Sequence, residues 1–157
     1  MLTRRRITAL SALLLVGCLS GCGLAVPADP DGTLDRVRGG ELRAGASASG
    51  SLVTVNGDEV DGSLVELVEG FGASLEAEVE WTVGSEEELV DALEAGSLDL
   101  AVGGMTDRTP WSDRVGVTRG YTGIPGSDGR TVVMLVPMGE NAWQSELERH
   151  LDAEVGR

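Results

Sequence analysis

The stretch Gly103-Gly104-Met105-Thr106-Asp107-Arg108-Thr109-Pro110-Trp111 holds the side chains of this sequence best suited to grip a small polar molecule. Two adjacent glycines let a ligand come close to the backbone, so that their amides meet a carboxylate or carbonyl oxygen. Thr106 adds a hydroxyl, Arg108 a five-donor guanidinium that matches a carboxylate, and Trp111 an apolar lid. A plainer reading pairs Asp107 with Arg108 and puts Trp111 in the core. Gly104, Thr106, Arg108 and Trp111 are the candidate ligand-binding residues.

Catalytic sets are scarce. The sequence has one histidine, His150, and two cysteines, Cys18 and Cys22. Zinc held by the common His and Cys sets is therefore excluded. A serine triad has to recruit His150 without a G-x-S-x-G turn to present its nucleophile. There is no P-loop, no G-x-G-x-x-G signature and no calcium loop. With 26 acidic residues some carboxylate pair always exists, so their number is no argument for hydrolysis. His150 follows Glu146 by one helical turn and reads as a surface histidine. The pattern points to binding, not to an enzyme, and implies no metal and no cofactor.

The elements that position the glycine-rich segment follow from periodicity. Glu41 to Ala46 alternates as a short strand. Ser47 to Asp61 reads as a small polar loop, with Gly50, Asn56, Gly57 and Gly62 as turn formers. It lies where ligand-carrying loops follow strands, and equally reads as plain surface. Ser63 to Leu75 is an amphipathic helix, with Leu64, Leu67, Val68, Phe71 and Leu75 on one stripe and Ser63 and Glu66 as a capping box. Glu78 to Val83 alternates as a strand, with Trp81 on its apolar side.

Ser85 and Glu88 open the next helix as a second capping box, and Gly96 closes it. Leu98 to Val102 is a nearly unbroken apolar run, interrupted by Asp99, as expected of a central strand covered on both faces. Strand, helix, strand, helix, strand implies right-handed crossovers and a mostly parallel sheet. The glycine-rich segment then starts where an open α/β sheet forms its binding crevice. Thr131 to Val136 is β-rich. A last helix covers about Ala142 to Glu154, with Trp143, Leu147, Leu151 and Val155 on one stripe, behind a turn at Pro137, Gly139 and Asn141.

The N-terminus differs in kind. Arg4, Arg5 and Arg6 precede an apolar run from Ile7 to Leu19, the layout of a secretory signal peptide over residues 1–21. Leu19-Ser20-Gly21-Cys22 resembles a bacterial lipobox, and Leu15-Val16-Gly17-Cys18 also fits. Cys22 is favoured as the lipidated residue because it leaves the longer apolar run. That resemblance implies a lipid anchor, not a membrane span. Residues 22–39 then read as lipidated cysteine and linker, and 40–157 as one domain. Removing the three leader arginines takes the formal charge from −14 to −17, and the sequence has no lysine. Such a surface repels phosphate backbones, which excludes nucleic acid as a partner.

Taken in order, Gly40 to Gly45, Asp61 to Phe71, Glu87 to Gly96, Leu98 to Thr106 and Arg114 to Tyr121 resemble the extracytoplasmic solute-binding proteins of ABC transporters, in their amino-acid-binding branch. The resemblance spans roughly residues 40–121. It implies an α/β, type II periplasmic-binding-protein-like domain, reduced to a single lobe, with Thr122–Arg130 in place of a second lobe. It further implies a small polar solute such as an amino acid, an ABC transporter permease or other membrane protein as partner, and a place on the extracytoplasmic face of the cell membrane. Gly104 and Thr106 match ligand contacts of that family. The family's carboxylate-gripping arginine is replaced by Trp111, and Arg108 and Arg114 are both candidates to stand in. The alternative is a single-lobe protein-interaction module at the cell surface, with an exposed apolar patch including Trp111 and Tyr121.

Overall fold

The computed structural model describes residues 28–156, so the leader, Cys18 and Cys22 lie outside the described residues. Much of the stretch expected as linker is built into the domain. Helix α1 (Thr33–Val37) follows Gly32 and buries Thr33 and Val37. Its free amides find one acceptor nearby, Asp29, and one more than a hundred residues away, Glu140. Glu140 accepts from the amides of Asp31 and Thr33, both at 3.0 Å. Asp29 accepts from Leu34 at 3.0 Å and from Trp143 at 2.9 Å. Helix starts need such partners, and no local pattern reveals ones this distant.

Strand β1 (Glu41–Ala46) has the expected bounds. The loop after it contains a small hairpin, β2 (Thr54–Asn56) with β3 (Glu59–Asp61), closed by Gly57 and Asp58. Gly57 sits at φ 66°, as a tight two-residue turn requires.

Helix α2 (Ser63–Ser74) buries Leu64, Val65, Val68 and Phe71. Its expected capping box does not form: Gly62 is the cap residue, and Ser63 Oγ donates instead to the Pro125 carbonyl at 2.7 Å. The amides of Ser63 and Leu64 are taken by the carbonyls of Ser51 and Leu52, at 3.3 and 3.0 Å. A distant loop thus outcompetes the local cap.

Strand β4 (Glu78–Val83) and helix α3 (Glu86–Glu94) follow as expected. Here the capping box is present: Ser85 Oγ accepts from the Glu88 amide, and the Glu88 carboxylate accepts from the Ser85 amide. Those bonds hold the Glu88 carboxyl below its ordinary pKa. Gly96, at φ 69°, ends the turn after α3.

The central strand β5 (Leu100–Val102) is wholly buried. Two short strands complete the sheet, β6 (Gly116–Val117) and β7 (Leu135–Val136), and helix α4 (Asn141–Glu154) closes the fold. Strand order is β4-β1-β5-β7-β6. β4, β1 and β5 run parallel, and β7 is antiparallel to both β5 and β6. This is an α/β domain with a mixed, mostly parallel sheet flanked by helices.

Strand alternation divides the core in two. Leu42, Ala44, Leu100, Val102 and Val136 meet Leu64, Val68 and Phe71 of α2 and Trp143, Leu147 and Leu151 of α4. Ala101, Val133 and Leu135 meet Leu89, Val90 and Leu93 of α3 on the other face. A Cβ on Gly45 would lie 2.8 Å from the side chains of Leu89 and Leu98, so only glycine lets α3 pack this closely. Each fully buried Leu or Phe contributes about 1.5–3 kcal/mol of transfer free energy. Trp143 also satisfies its indole, donating to the Asp99 carbonyl at 2.8 Å.

Candidate ligand-binding crevice

The parallel strands β4, β1 and β5 end together, and the loops that follow them meet at one edge. Gly103 and Gly104 leave β5 directly against Ser47 and Ser49 of the loop after β1. A Cβ on Gly104 would lie 2.8 Å from Ser49 Oγ, and one on Gly103 would lie 3.0 Å from the Ser47 Cβ. The two glycines therefore serve loop-on-loop packing, Gly103 buried and Gly104 half-buried. Their amides donate to no group among the described residues. The hydroxyls of Ser47 and Ser49 are likewise without a partner there. The sequence marked the loop 47–61 as a possible ligand carrier without singling out these serines. Only their contact with the glycines identifies them.

Thr106 is anchored by a β-bridge to Val132, while its hydroxyl accepts weakly from the Arg108 amide at 3.4 Å. Arg108 and Asp107 are both exposed, and they are not paired with each other. The Arg108 guanidinium has no hydrogen bond or ion pair among the described residues.

Trp111 and Arg114 take other roles. The Trp111 indole donates to Glu86 at 3.3 Å and packs with the side chains of the α3 cluster. It forms a fixed wall and not a free lid. Arg114 lies over the same ring, 5.6 Å from its centroid, and pairs with Asp91 at 2.7 Å and with Glu94. The hydrogen bonds it donates to those two carboxylates, Glu94 first, raise its pKa above that of an ordinary arginine. Arg114 is thus committed to α3, whereas Arg108 has no partner among the described residues.

The connection Thr122–Arg130 joins this edge and is packed onto it. Ile124 and Ser127 are buried, and Gly126 approaches Ser51 so closely that a Cβ would lie 2.3 Å from its hydroxyl. Tyr121 is also buried, with its hydroxyl donating toward the Glu148 carbonyl and the Asp152 carboxylate, each at 3.2 Å. Burial raises its pKa. The apolar patch expected of an interaction module at Trp111 and Tyr121 is therefore not presented. The exposed large hydrophobic residues among those described are Val83 and Met138.

The polar groups at the opposite edge of the sheet are spent. Asp99, 1% exposed, accepts from Arg36 Nη2 and from Arg43 Nη2 at 2.6 Å, and further from Arg43 Nε at 3.1 Å and the Arg43 amide at 3.0 Å. The hydrogen bond with Asp99 raises the Arg43 pKa. A cavity of about 620 Å³ opens there, lined by Arg36, Arg43, Asp99, Arg114 and Met138. None of Gly104, Thr106, Arg108 or Trp111 lines it. His150, on α4, is half-buried, its ring 5.4 Å from Phe71 of α2 and its Nε2 buried without a partner, so its ring faces the domain and only part of it meets solvent. No group of acidic, cysteine or histidine residues among those described is arranged to hold a metal ion.

No family model matches the chain, and no curated protein matches it by sequence. Solved structures do. The arginine-bound form of domain 1 from TmArgBP superposes with a TM-score of 0.65 at 18% identity, over 76% of this chain and 97% of that one. A point mutant of the same domain gives 0.66 at 19%, over 76% and 96%. The fold is that of one domain of a periplasmic binding protein. An ancestral cyclohexadienyl dehydratase matches more loosely, with a TM-score of 0.51 at 20% identity over 61% of this chain and 40% of its own. A mutant of ArgBP from T. maritima gives 0.51 at 22%, over 57% and 40%. At these identities the likeness concerns the fold of the binding-protein domain, and the chemistry has to be argued from the crevice.

Proposed function

We propose that this domain binds an amino acid or a similar small polar solute in the crevice formed by Ser47, Ser49, Gly104, Thr106 and Arg108, with Trp111 as a fixed wall. The observation that carries the reading is the concentration of unspent donors at this one edge. The amides of Gly103 and Gly104 and the guanidinium of Arg108 have no protein acceptor there, while the charged groups at the other edge are paired. Such donors suit a carboxylate, with Arg108 replacing the arginine whose place Trp111 occupies. The arginine-bound state of the isolated TmArgBP domain supports one lobe as a sufficient binder. The sole histidine lies outside the crevice, which supports binding over catalysis.

In this reading the chain is exported, lipidated at Cys22 and held at the extracytoplasmic face of the cell membrane, where it serves an ABC importer as an accessory. The lipobox-like Leu19-Ser20-Gly21-Cys22 supports the anchor. A half-open crevice covers less of a ligand than an enclosed pocket, so the affinity is modest.

The test is an amide chemical-shift titration of residues 23–157 with pooled amino acids and other polar metabolites. Saturable shifts at Gly103 to Arg108 and at Ser47 and Ser49 are expected. A folded spectrum without saturable shifts from any pool refutes solute capture.

A further inference from the structure

The chain enters the domain at the edge opposite the crevice. The Asn141 amide at the start of α4 donates to the Ala28 carbonyl at 3.1 Å, and Asp29 caps Leu34 and Trp143 at the same place. Trp143 in turn reaches Asp99, which precedes β5. Pro137 and Met138, at the end of antiparallel β7, line the cavity that opens there with Arg36 and Arg43. Ala28 is thus fixed where the parallel strands begin. Ser47, Gly104 and Thr106 stand where they end.

Six peptide steps separate Ala28 from Cys22. Fully extended, they reach at most roughly 20 Å. A compact domain of about 130 residues has a radius of gyration near 14 Å and is roughly 35 Å across. To turn the crevice toward a bilayer, the tether has to run the depth of the domain, and it is too short.

We propose that the chain, held at Cys22, stands on its Arg36–Met138 edge and presents the solute crevice away from the membrane. This rests on the anchoring reading above and adds a direction to it. The crevice then opens about one domain's depth above the bilayer. The four capping bonds of Asp29 and Glu140 keep the short arm from peeling off and lengthening the tether.

The test uses the full chain, matured in a bacterial host and reconstituted into phosphatidylcholine vesicles that carry a nickel-chelating lipid. Nitroxides are placed at Met138→Cys and, separately, at Asp107→Cys, both exposed positions. Several-fold stronger relaxation by headgroup nickel is expected at position 138 than at position 107. Inserting about twenty Gly and Ser residues after Gly23 is expected to erase the difference, because a flexible tether of that length clears the domain. Equal relaxation with the native tether, or stronger relaxation at position 107, overturns the orientation. Intact-mass measurement and vesicle flotation, against Cys22→Ala, report on the anchor itself. A matured chain without lipid overturns anchoring and orientation together, whereas a lipidated chain with equal relaxation overturns the orientation alone.

Discussion

At the start of β1 and β5, Asp99 accepts four hydrogen bonds, and nearby Asp29 and Glu140 accept four more from backbone amides. At the far end of the same strands, the Gly103 and Gly104 amides, the Ser47 and Ser49 hydroxyls and the Arg108 guanidinium have no partner among the described residues. Both edges are polar, yet only one has completed its bonds. A satisfied carboxylate network fixes the chain, because leaving a buried polar group unmade costs more than making the bond gains. The unsatisfied donors at the other edge are the groups on which the proposed solute binding rests, Arg108 exposed and Gly104, Ser47 and Ser49 half-buried.

The contrast is sharpened most by Asp99→Ala. Removing the carboxylate leaves the Arg43 amide without its side-chain acceptor and Arg36 and Arg43 without their shared counter-charge; both guanidiniums are partly in solvent, so a loss of about 2–3 kcal/mol is expected in denaturant unfolding. A loss well under 1 kcal/mol breaks the claim that this edge holds the fold.

Next in size is Glu140→Gln, expected to cost about 1–2 kcal/mol, because the carboxamide keeps one acceptor oxygen and turns an NH2 donor toward the other of the Asp31 and Thr33 amides. Burial alone raises the Glu140 pKa, but those bonds and the Arg36 charge outweigh it and hold the pKa below the ordinary value. A carboxyl depressed in the folded state stabilises above its unfolded pKa and loses that contribution as pH falls through the folded value. The stability gap between wild type and Glu140→Gln is therefore expected to persist at about pH 6 and to shrink below about pH 4. A gap that grows in acid contradicts the sign.

Gly104→Ala is expected to cost about 1 kcal/mol, since the added Cβ meets a movable serine hydroxyl and not backbone. Ser49→Ala in the same chain is expected to recover most of it in thermal unfolding, because the crowding atom is gone. Failure of that rescue separates the two loops. The smallest stability effect belongs to Arg108→Ala, within about 0.5 kcal/mol. Its expected signature is binding: at least tenfold weaker, or about 1.4 kcal/mol, in a titration with the solute found by the amide shifts. Unchanged affinity removes Arg108 from the crevice.

The elements legible in the sequence are those with local causes. β1 and β4 show alternation, and the Ser85–Glu88 box and Gly96 bracket α3. The Ser63–Glu66 box has the same letters and does not form, because Pro125 takes the serine and Leu52 and Ser51 take the amides. Helix α1 was hidden because it spans five residues and its Thr33 amide is capped by Glu140, set by tertiary contact. The β2–β3 hairpin was hidden by strands of three residues, too short to show a period. Asp99 did carry a signal: a carboxylate beside an unbroken apolar strand has to be paired, and Arg43 was the neighbour on β1. At the crevice, sequence located the segment. It had no means of separating Arg108 from Arg114, since that depends on which one α3 captures.

Tyr121 and Val132 exchange both backbone hydrogen bonds, at 2.9 and 3.0 Å, on either side of the Thr122–Arg130 connection. The two ends of that connection are thus clasped side by side, whatever lies between them. Loop length enters closure entropy only logarithmically, so the clasp is a natural graft point. A longer insert whose own ends lie close together, such as a fluorescent reporter or a second ligand-covering module, is accommodated there at the rim of the crevice.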